Sequence, residues 1–445
     1  MATRLSRTPS STGNRKTWTF SAWIKRTGSL TGTNTQNILH AGGYSIIRFE
    51  NENLEYLDYD GSSTALKNTS AKLKDPNAWY HIVIAADFTQ ASADNRVKFY
   101  INGVQETSFG TNNVKAQDYE TKFNLSGTSM NLGADSSNGS PFDGVMSHVH
   151  WIDGTAYDAS AFGETDAITG EWKIKTSPNV SYGSQGFWWL KDNNSTTDNS
   201  PNSNTATISG TLTKTEDCPS NVFATWNPLA NSNSNYVLSK GNTSYSNADN
   251  DWSHGALIST IGIPPSGGKY YWEHKKTYAG NHIIFGLISE DQVHRAYRDS
   301  GTDIYERING VQLSNSSNSG LYLQEATDSG SIGAVANGDI LMCAYDADNS
   351  KLWYGINGTW HNSGDPANGT NETIGSSEFT AGKIYFAFSQ SHNSSGTASS
   401  DTNFGNGYFG TTQISSAGTN ASGNGIFEYD VPNGFTALST KGLNL

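Results

Sequence analysis

Charge is scarce in this chain of 445 residues. Asp, Glu, Lys and Arg make up only 16% of it, against about 25% in an ordinary soluble domain. The 28 Lys plus Arg are outnumbered by 41 Asp plus Glu, giving a net charge of -13. Such a surface repels a phosphate backbone, which disfavours nucleic-acid binding. Cysteine is nearly missing as well: Cys218 and Cys343 form no metal-like cluster and leave room for one structural disulfide at most. Cys343 lies in an apolar run, where a buried free thiol is the simplest reading. No stretch approaches the roughly 20 apolar residues of a membrane helix. Met1 to Lys25 has no apolar signal-peptide core, so synthesis in a cytoplasm is expected. Nucleophile-elbow, Walker and Rossmann glycine patterns are all lacking, leaving nucleotide chemistry and hydrolase triads without support.

Aromatic residues are plentiful: 12 Trp, 21 Tyr and 18 Phe supply enough large apolar area to build cores, which a disordered chain lacks. The length calls for two or three domains. Helical periodicity is hard to find, whereas Asn-Gly recurs at Asn102, Asn138, Asn309, Asn337, Asn357, Asn368, Asn406, Asn424 and Asn433, a dipeptide that favours tight hairpins. Trp18, Phe20, Ala22 and Ile24 alternate with Thr17, Thr19, Ser21 and Lys25, with Trp23 the exception on the polar side. That is the period of a strand with one buried face. Further strands are predicted at Tyr44 to Phe49, Leu54 to Tyr59, Trp79 to Asp87, Arg96 to Asn102 and Val145 to Asp153. In the second half they fall at Lys269 to His274, His282 to Ile288, Asp339 to Asp346, Lys351 to Ile356 and Lys383 to Phe388. The fold class is therefore all-β, a sandwich or barrel in each half. Asp192 to Thr215 carries almost no large apolar side chain and is expected to be an exposed connection.

The order WTFSAWIKR, NAWYHIVIAAD, VKFYINGVQ, FDGVMSHVHWIDG resembles the laminin-G and pentraxin-like lectin family, which implies a concanavalin A-like lectin domain over residues 1–190. GGKYYWEHK, HIIFGLIS, NGDILMCAYDADNSKLWYGINGTW and GKIYFAFSQ resemble the SPRY domain, which implies a second sandwich over 228–445 with a C-terminal extension and a connecting segment at 191–227. Together the two resemblances imply an all-β chain of two antiparallel β-sandwich (jelly-roll) domains in tandem. RTPSSTGNRKTWTFSAWIKR, FGETDAITGEWKIK, DCPSNVFATWNPL, NFGNGYFG and VPNGFTALST are similar to segments of marine bacteriophage structural proteins. That resemblance implies a virion component, located on the particle surface and made in the host cytoplasm.

Glu50, Glu52 and Glu55 in FENENLE form a carboxylate group of the kind glycosidases use. The glucanase pattern has Asp in the middle, however, and Asn51 to Asn53 reads as a turn that would splay the acids into water. His148 and His150 stand two apart on a predicted strand, about 6.5 Å from one another on one face, without an identifiable third ligand. In LGADSSNGSPFDG, Asp135, Asn138 and Asp143 are candidate calcium ligands by the pentraxin resemblance, hard oxygens that suit this ion. Ser136 and Ser137 stand where that family would place an amide and a second acid, and both Asn-Gly and Asp-Gly are equally turns. No other cofactor is expected. Trp252, Tyr297, Tyr305 and His392 lie in polar loops of the second domain and are candidate ligand-binding residues, whereas Trp272 and Trp353 alternate within strands and read as core.

These features point to a non-enzymatic phage structural protein, a tail fibre, spike or head decoration, that attaches to host-surface glycan or protein. The alternatives are a purely structural decoration or adaptor, which would bury the same aromatics against other virion proteins, and a glycan depolymerase. A homo-oligomer, with a trimer favoured, is expected because several weak sites on one body gain avidity. The basic stretch Arg4 to Lys16 is expected to be an arm that docks on a neighbouring subunit, or else a frayed terminus. Neither nucleic acid nor membrane insertion is expected.

Overall fold

In the computed structural model, which describes residues 2–28, 30, 34–191, 195–230, 236–248, 256–278, 282–293, 309–314, 320–323, 326–331, 335–392 and 397–444, the alternating segment Thr17–Arg26 is a ten-residue strand. Trp18, Phe20, Ala22 and Ile24 point into a core, as their alternation requires. The strand sits inside a six-stranded sheet in the order Phe187–Trp189, Gly144–Asp153, Thr17–Arg26, Trp79–Asp87, Val97–Ile101, Val104–Gln105. An eight-stranded sheet faces it, in the order Phe109–Asn113, Thr64–Lys72, Asn53–Tyr59, Ser45–Glu50, Thr35–Ala41, Met130–Leu132, Arg4–Arg7, Thr207–Ser209. Every strand pair in both sheets is antiparallel. Between the sheets, Trp18 stacks on Trp151 with ring centroids 5.1 Å apart and meets Phe123 edge-on.

Trp23, the apparent exception, belongs to a second apolar layer on the outer side of the six-stranded sheet. It stacks on His81, and His81 stacks in turn on Trp172. The Trp172 indole N–H donates to His81 Nδ1 at 3.0 Å, so the ring proton lies on Nε2, which faces Ser21 Oγ at 2.9 Å. Burial holds the His81 pKa down at about 3, which keeps the ring neutral. Gly103 lies under the same indole with φ +83°, and a Cβ there would sit 2.5 Å from the Trp172 ring, so glycine is required for conformation and for space.

Two expectations change. The stretch expected to be an exposed connection belongs to folded units, because the chain divides into Met1–Leu212 and Thr213–Leu445. Asp198 accepts the Trp188 N–H at 2.8 Å, Asn204 bonds the carbonyls of Ser184 and Gly186, and Thr207–Ser209 pairs with Arg4–Arg7. Beyond Leu212, Phe223, Ala224 and Trp226 are fully buried. Small polar side chains here substitute for apolar burial by hydrogen-bonding backbone groups. The basic stretch, likewise, is no free arm. Arg4–Arg7 is a strand, Arg15 pairs with Glu120 at 2.6 Å and Lys16 with Asp118 at 3.1 Å. Residues 1–212 expressed alone are expected to melt cooperatively, whereas 1–191, which loses a strand and the Asp198 acceptor, is expected to melt well below it. Equal melting temperatures would contradict this assignment.

The second unit holds a seven-strand path, Tyr236–Ser239, Ser244–Asn247, Ala398–Asn403, Lys269–Tyr278, Ile340–Asp346, Lys351–Ile356, Thr359–Trp360, with Thr436–Ala437 pairing parallel to Lys269–Tyr278. A six-stranded sheet runs Leu257–Ile263, Tyr385–His392, His282–Ser289, Asn309–Ser314, Gly320–Leu323, Ala326–Ser331. Trp272, Phe285, Leu341 and Tyr354 fill its core. On the reverse of the first sheet, Tyr271, Ala344 and Trp353 pack under Phe427, Val431 and Phe435 of the C-terminal segment. Both cysteines are free, Cys343 in the core.

A buried carboxyl and two buried histidines set a pH dependence. Asp58, in the first unit, accepts from Ser45 Oγ at 2.5 Å and from the Tyr56 hydroxyl, and burial pushes its pKa up to about 8. Its unfolded value lies near 3.8, so its contribution to stability is full below that value and is lost as pH rises through 8. His81 and His150 are held neutral, with pKa values below their ordinary 6.5, and act in the opposite sense on the acid side. The melting temperature of residues 1–212 is therefore expected to peak near pH 6.5 and to fall toward pH 8. Asp58→Asn should flatten the alkaline limb, and an equally steep limb in that variant would contradict the assignment.

Candidate functional site

The hairpin Ser45–Glu50 to Asn53–Tyr59 organises the outer face of the eight-stranded sheet. Its register sets Arg48 opposite Glu55, Ile46 opposite Leu57, and continues to Tyr44, whose carbonyl accepts the Tyr59 N–H at 2.8 Å. The intervening residues Ile47, Phe49, Leu54 and Tyr56 belong to the core. Tyr44, Ile46, Arg48, Glu55, Leu57 and Tyr59 therefore face outward. Neighbouring strands extend these rows with Leu66 beside Leu57 and Asn68 beside Glu55.

At the end of this face Tyr44 and Tyr59 are 36% and 37% exposed. Their rings lie parallel within 3°, with centroids 5.8 Å apart. The Lys122 ammonium lies 5.3 Å from the Tyr44 centroid. Beside Tyr59, Asp60 accepts the backbone N–H groups of Ser62 and Ser63 and pairs with Lys115 at 2.7 Å, so its carboxyl is held far below the usual carboxylate range, chiefly by Lys115. Two exposed, mutually stacked tyrosine rings next to a half-buried apolar row offer apolar faces and hydroxyls together, which suits a ligand that is itself amphipathic. The exposed loop sets considered from sequence did not include this pair. Counting outward from the Asn51-Glu52 turn would have placed Tyr44 opposite Tyr59.

The three glutamates are not splayed into water. Glu55 is buried and takes both Nε and Nη2 of Arg48 at 2.7 Å, while the same Nη2 lies 3.2 Å from Glu50. Thr35 Oγ1 donates to Glu50 at 2.9 Å, and Glu52 pairs with Lys72 at 2.6 Å. Burial raises the Glu55 pKa while Arg48 opposes it. Each carboxylate is committed to a cation, and the guanidinium occupies the space between the two that share a face. A glycosidase needs that space for the sugar.

The candidate calcium ligands do not form one set. Asp135 Oδ1 accepts Ser137 N–H at 2.8 Å, Ser137 Oγ at 2.7 Å and Gly139 N–H at 2.7 Å. Against burial, which pushes its pKa up, those bonds hold it below the ordinary value. Asp143 accepts from Thr27 Oγ1 at 3.0 Å. Asn138 Oδ1 is buried without a partner, and Asn138 has φ +66°. Among the described residues no group of three His, Cys, Asp or Glu side chains is arranged to hold a metal. The loop is tied by its own carboxylate, a geometry that does not fit calcium.

His148 and His150 both lie against Trp188, with ring centroids 5.8 and 4.9 Å from it, but no third ligand joins them among the described residues. The register shifts between Ser147 and His150, and His148 takes φ +48° in a bulge. His150 is buried with Nδ1 2.8 Å from the Tyr182 hydroxyl, between Phe162 and Trp188. In the second unit, Trp252, Tyr297 and Tyr305 lie outside the described residues, and His392 ends the strand Tyr385–His392 opposite His282. Trp272 and Trp353 are buried, as their alternation implied. A shallow pocket of about 160 Å³ lies among Tyr354, Gly355, Ile356, Thr359, Trp360 and His361.

Residues 3–160 match the family model described as the concanavalin A-like lectin/glucanases superfamily. The first unit has a lectin-like fold. Among solved structures, the chain is similar to the SPRY domain of human HERC1, at 15% identity and a TM-score of 0.26, over 38% of this chain and 91% of that one. It is also similar to a heptameric SAP-like pentraxin from Limulus polyphemus, at 14% identity and a TM-score of 0.29, over 43% and 90%. No curated protein matches. Lectin-like sandwiches are binding modules for carbohydrate or protein, and the lectin-like unit here carries its exposed aromatic pair on an outer sheet face.

Proposed function

We propose that the chain is a non-enzymatic structural protein of a phage particle, a tail fibre, spike or head decoration, whose lectin-like unit binds a host-surface glycan. The observation that carries the glycan reading is the exposed parallel pair Tyr44 and Tyr59, beside the apolar row of Ile46, Leu57 and Leu66. Tyrosine faces stack on the C–H faces of a sugar while hydroxyls and amides meet its polar edge. The particle reading rests on the resemblance of the connecting and terminal segments to marine bacteriophage structural proteins, and the second unit is read as SPRY-like on its own motifs. Arg48 between Glu50 and Glu55 supports binding over hydrolysis.

The test is a glycan array probed with the full chain, run beside cryo-electron microscopy of the particle. Binding of host-surface glycans, no release of reducing ends from them, and an outward-facing lectin-like unit are expected. A chain whose Tyr44 and Tyr59 are covered by a neighbouring subunit in the particle would instead be a decoration or adaptor. A homo-oligomer, most simply a trimer, supplies the avidity that a weak site lacks. Sedimentation equilibrium is expected to show it, and a monomer at micromolar concentration would rule it out.

A further inference from the structure

We propose that Tyr44, Tyr59 and Lys122 together select an anionic sugar residue, one bearing a carboxylate or sulfate, over a neutral one; the proposal rests on the outer sheet face being the glycan site. Lys122 is fixed to the same hairpin as the rings, because its backbone N–H donates to Ser45 Oγ at 2.8 Å, while its ammonium lies 5.3 Å from the Tyr44 centroid. The other cations near this face are already matched. Arg48 is held by Glu50 and Glu55, Lys115 by Asp60 at 2.7 Å, and Lys72 by Glu52 at 2.6 Å. Among the described residues no carboxylate pairs with Lys122, whose ammonium lies over the Tyr44 ring.

A half-exposed ammonium over an aromatic ring keeps its hydrogen-bond donors available, since the ring face attracts charge without accepting a directed bond as a carboxylate does. A sugar ring stacked on Tyr44 and Tyr59 brings its exocyclic groups beside that ammonium. An anionic substituent there gains a charge-assisted hydrogen bond, roughly twice as strong as a neutral one. A hydroxyl in its place gains less. The protein as a whole carries a net charge of -13, which disfavours an anion on its surface unless a local cation meets it.

The experiment is calorimetric titration of the full chain with three oligosaccharides of equal length: an oligogalacturonate, a sulfated oligosaccharide and a neutral oligogalactoside. Wild type is expected to bind at least one anionic ligand about tenfold more tightly than the neutral one. That preference should shrink toward unity at an ionic strength of about 1 M, where screening acts within about 3 Å. Lys122→Gln is expected to bring the preference close to unity, weakening the anionic ligand far more than the neutral one. Comparison of the carboxylated and sulfated ligands then shows which anion the site matches. Equal affinity for neutral and anionic ligands, or a preference that survives Lys122→Gln, overturns the inference. If Tyr44→Ala with Tyr59→Ala leaves binding of all three intact, the underlying glycan site is wrong. If that double variant abolishes neutral binding while Lys122→Gln changes nothing, only the selectivity is wrong.

Discussion

Replacing Trp151 with alanine is expected to lower the stability of the lectin-like unit by about 3–5 kcal/mol, the range for truncating a buried tryptophan. Trp151 is fully buried, stacks on Trp18 at 5.1 Å and lies 5.0 Å from Phe123. Three large rings meet at one point between the sheets, so the neighbours cannot close over the vacated space without leaving their own rotamers. The indole N–H also donates to Asn124 Oδ1 at 2.7 Å, and Asn124 Nδ2 in turn bonds the Asn14 carbonyl at 2.7 Å and Asp153 Oδ1 at 3.1 Å. Alanine therefore creates a cavity and strands a buried acceptor. Trp151→Phe keeps most of the volume and should cost distinctly less. Urea unfolding of residues 1–212 measures both, and a shift below about 1 kcal/mol for the alanine variant would show that the aromatic centre is not where the unit derives its stability.

Glu273→Ala is expected to release the C-terminal segment of the second unit and to cost at least about 3 kcal/mol, as when a buried charged acceptor is removed from its partners. The side chain is fully buried on the reverse of the sheet. Its carboxylate accepts the Tyr271 hydroxyl and the Tyr429 N–H at 2.9 Å each, the Glu428 N–H at 3.0 Å and Asn403 Nδ2 at 3.4 Å. Two of these donors are backbone groups of the segment that lays Phe427, Val431 and Phe435 over Tyr271 and Trp353. Without the carboxylate those N–H groups face an apolar sheet, and water must enter to meet them. Burial pushes the Glu273 pKa up to about 7, so the group is part neutral at neutral pH and Glu273→Gln should be the milder change. Differential scanning calorimetry with limited proteolysis checks the outcome. A variant that melts like wild type, with its C-terminal segment still protected, would contradict it.

The same strand pattern that made the fold legible hid parts of the site. Trp79–Asp87 and Lys351–Ile356 have the ends read from sequence, because alternation and flanking turn residues agree there. Asn-Gly was a less faithful sign. Asn102-Gly103 and Asn357-Gly358 are true two-residue hairpins, and in both the Asn Oδ1 accepts a backbone N–H from the paired strand that precedes the hairpin, His81 at 2.8 Å and Ile340 at 2.9 Å. Asn309-Gly310, by contrast, lies inside the strand Asn309–Ser314. Polar composition misled at Asp198 and Asn204, since hydrogen bonds to the folded backbone leave no apolar trace in the sequence. It misled again at Glu55, which reads as solvated until the register places Arg48 against it. The bulge at His148 was equally invisible, because a shift of register leaves no mark on composition.

The central claim, that the outer face of the eight-stranded sheet is a glycan site, is tested most directly by titrating a glycan found on the array into the wild-type chain and into Tyr44→Ala with Tyr59→Ala. Both rings are more than a third exposed and outside the core, so the double variant should fold and melt as wild type does. The account predicts that it loses at least about tenfold in affinity, and the same affinity in a folded double variant would contradict it.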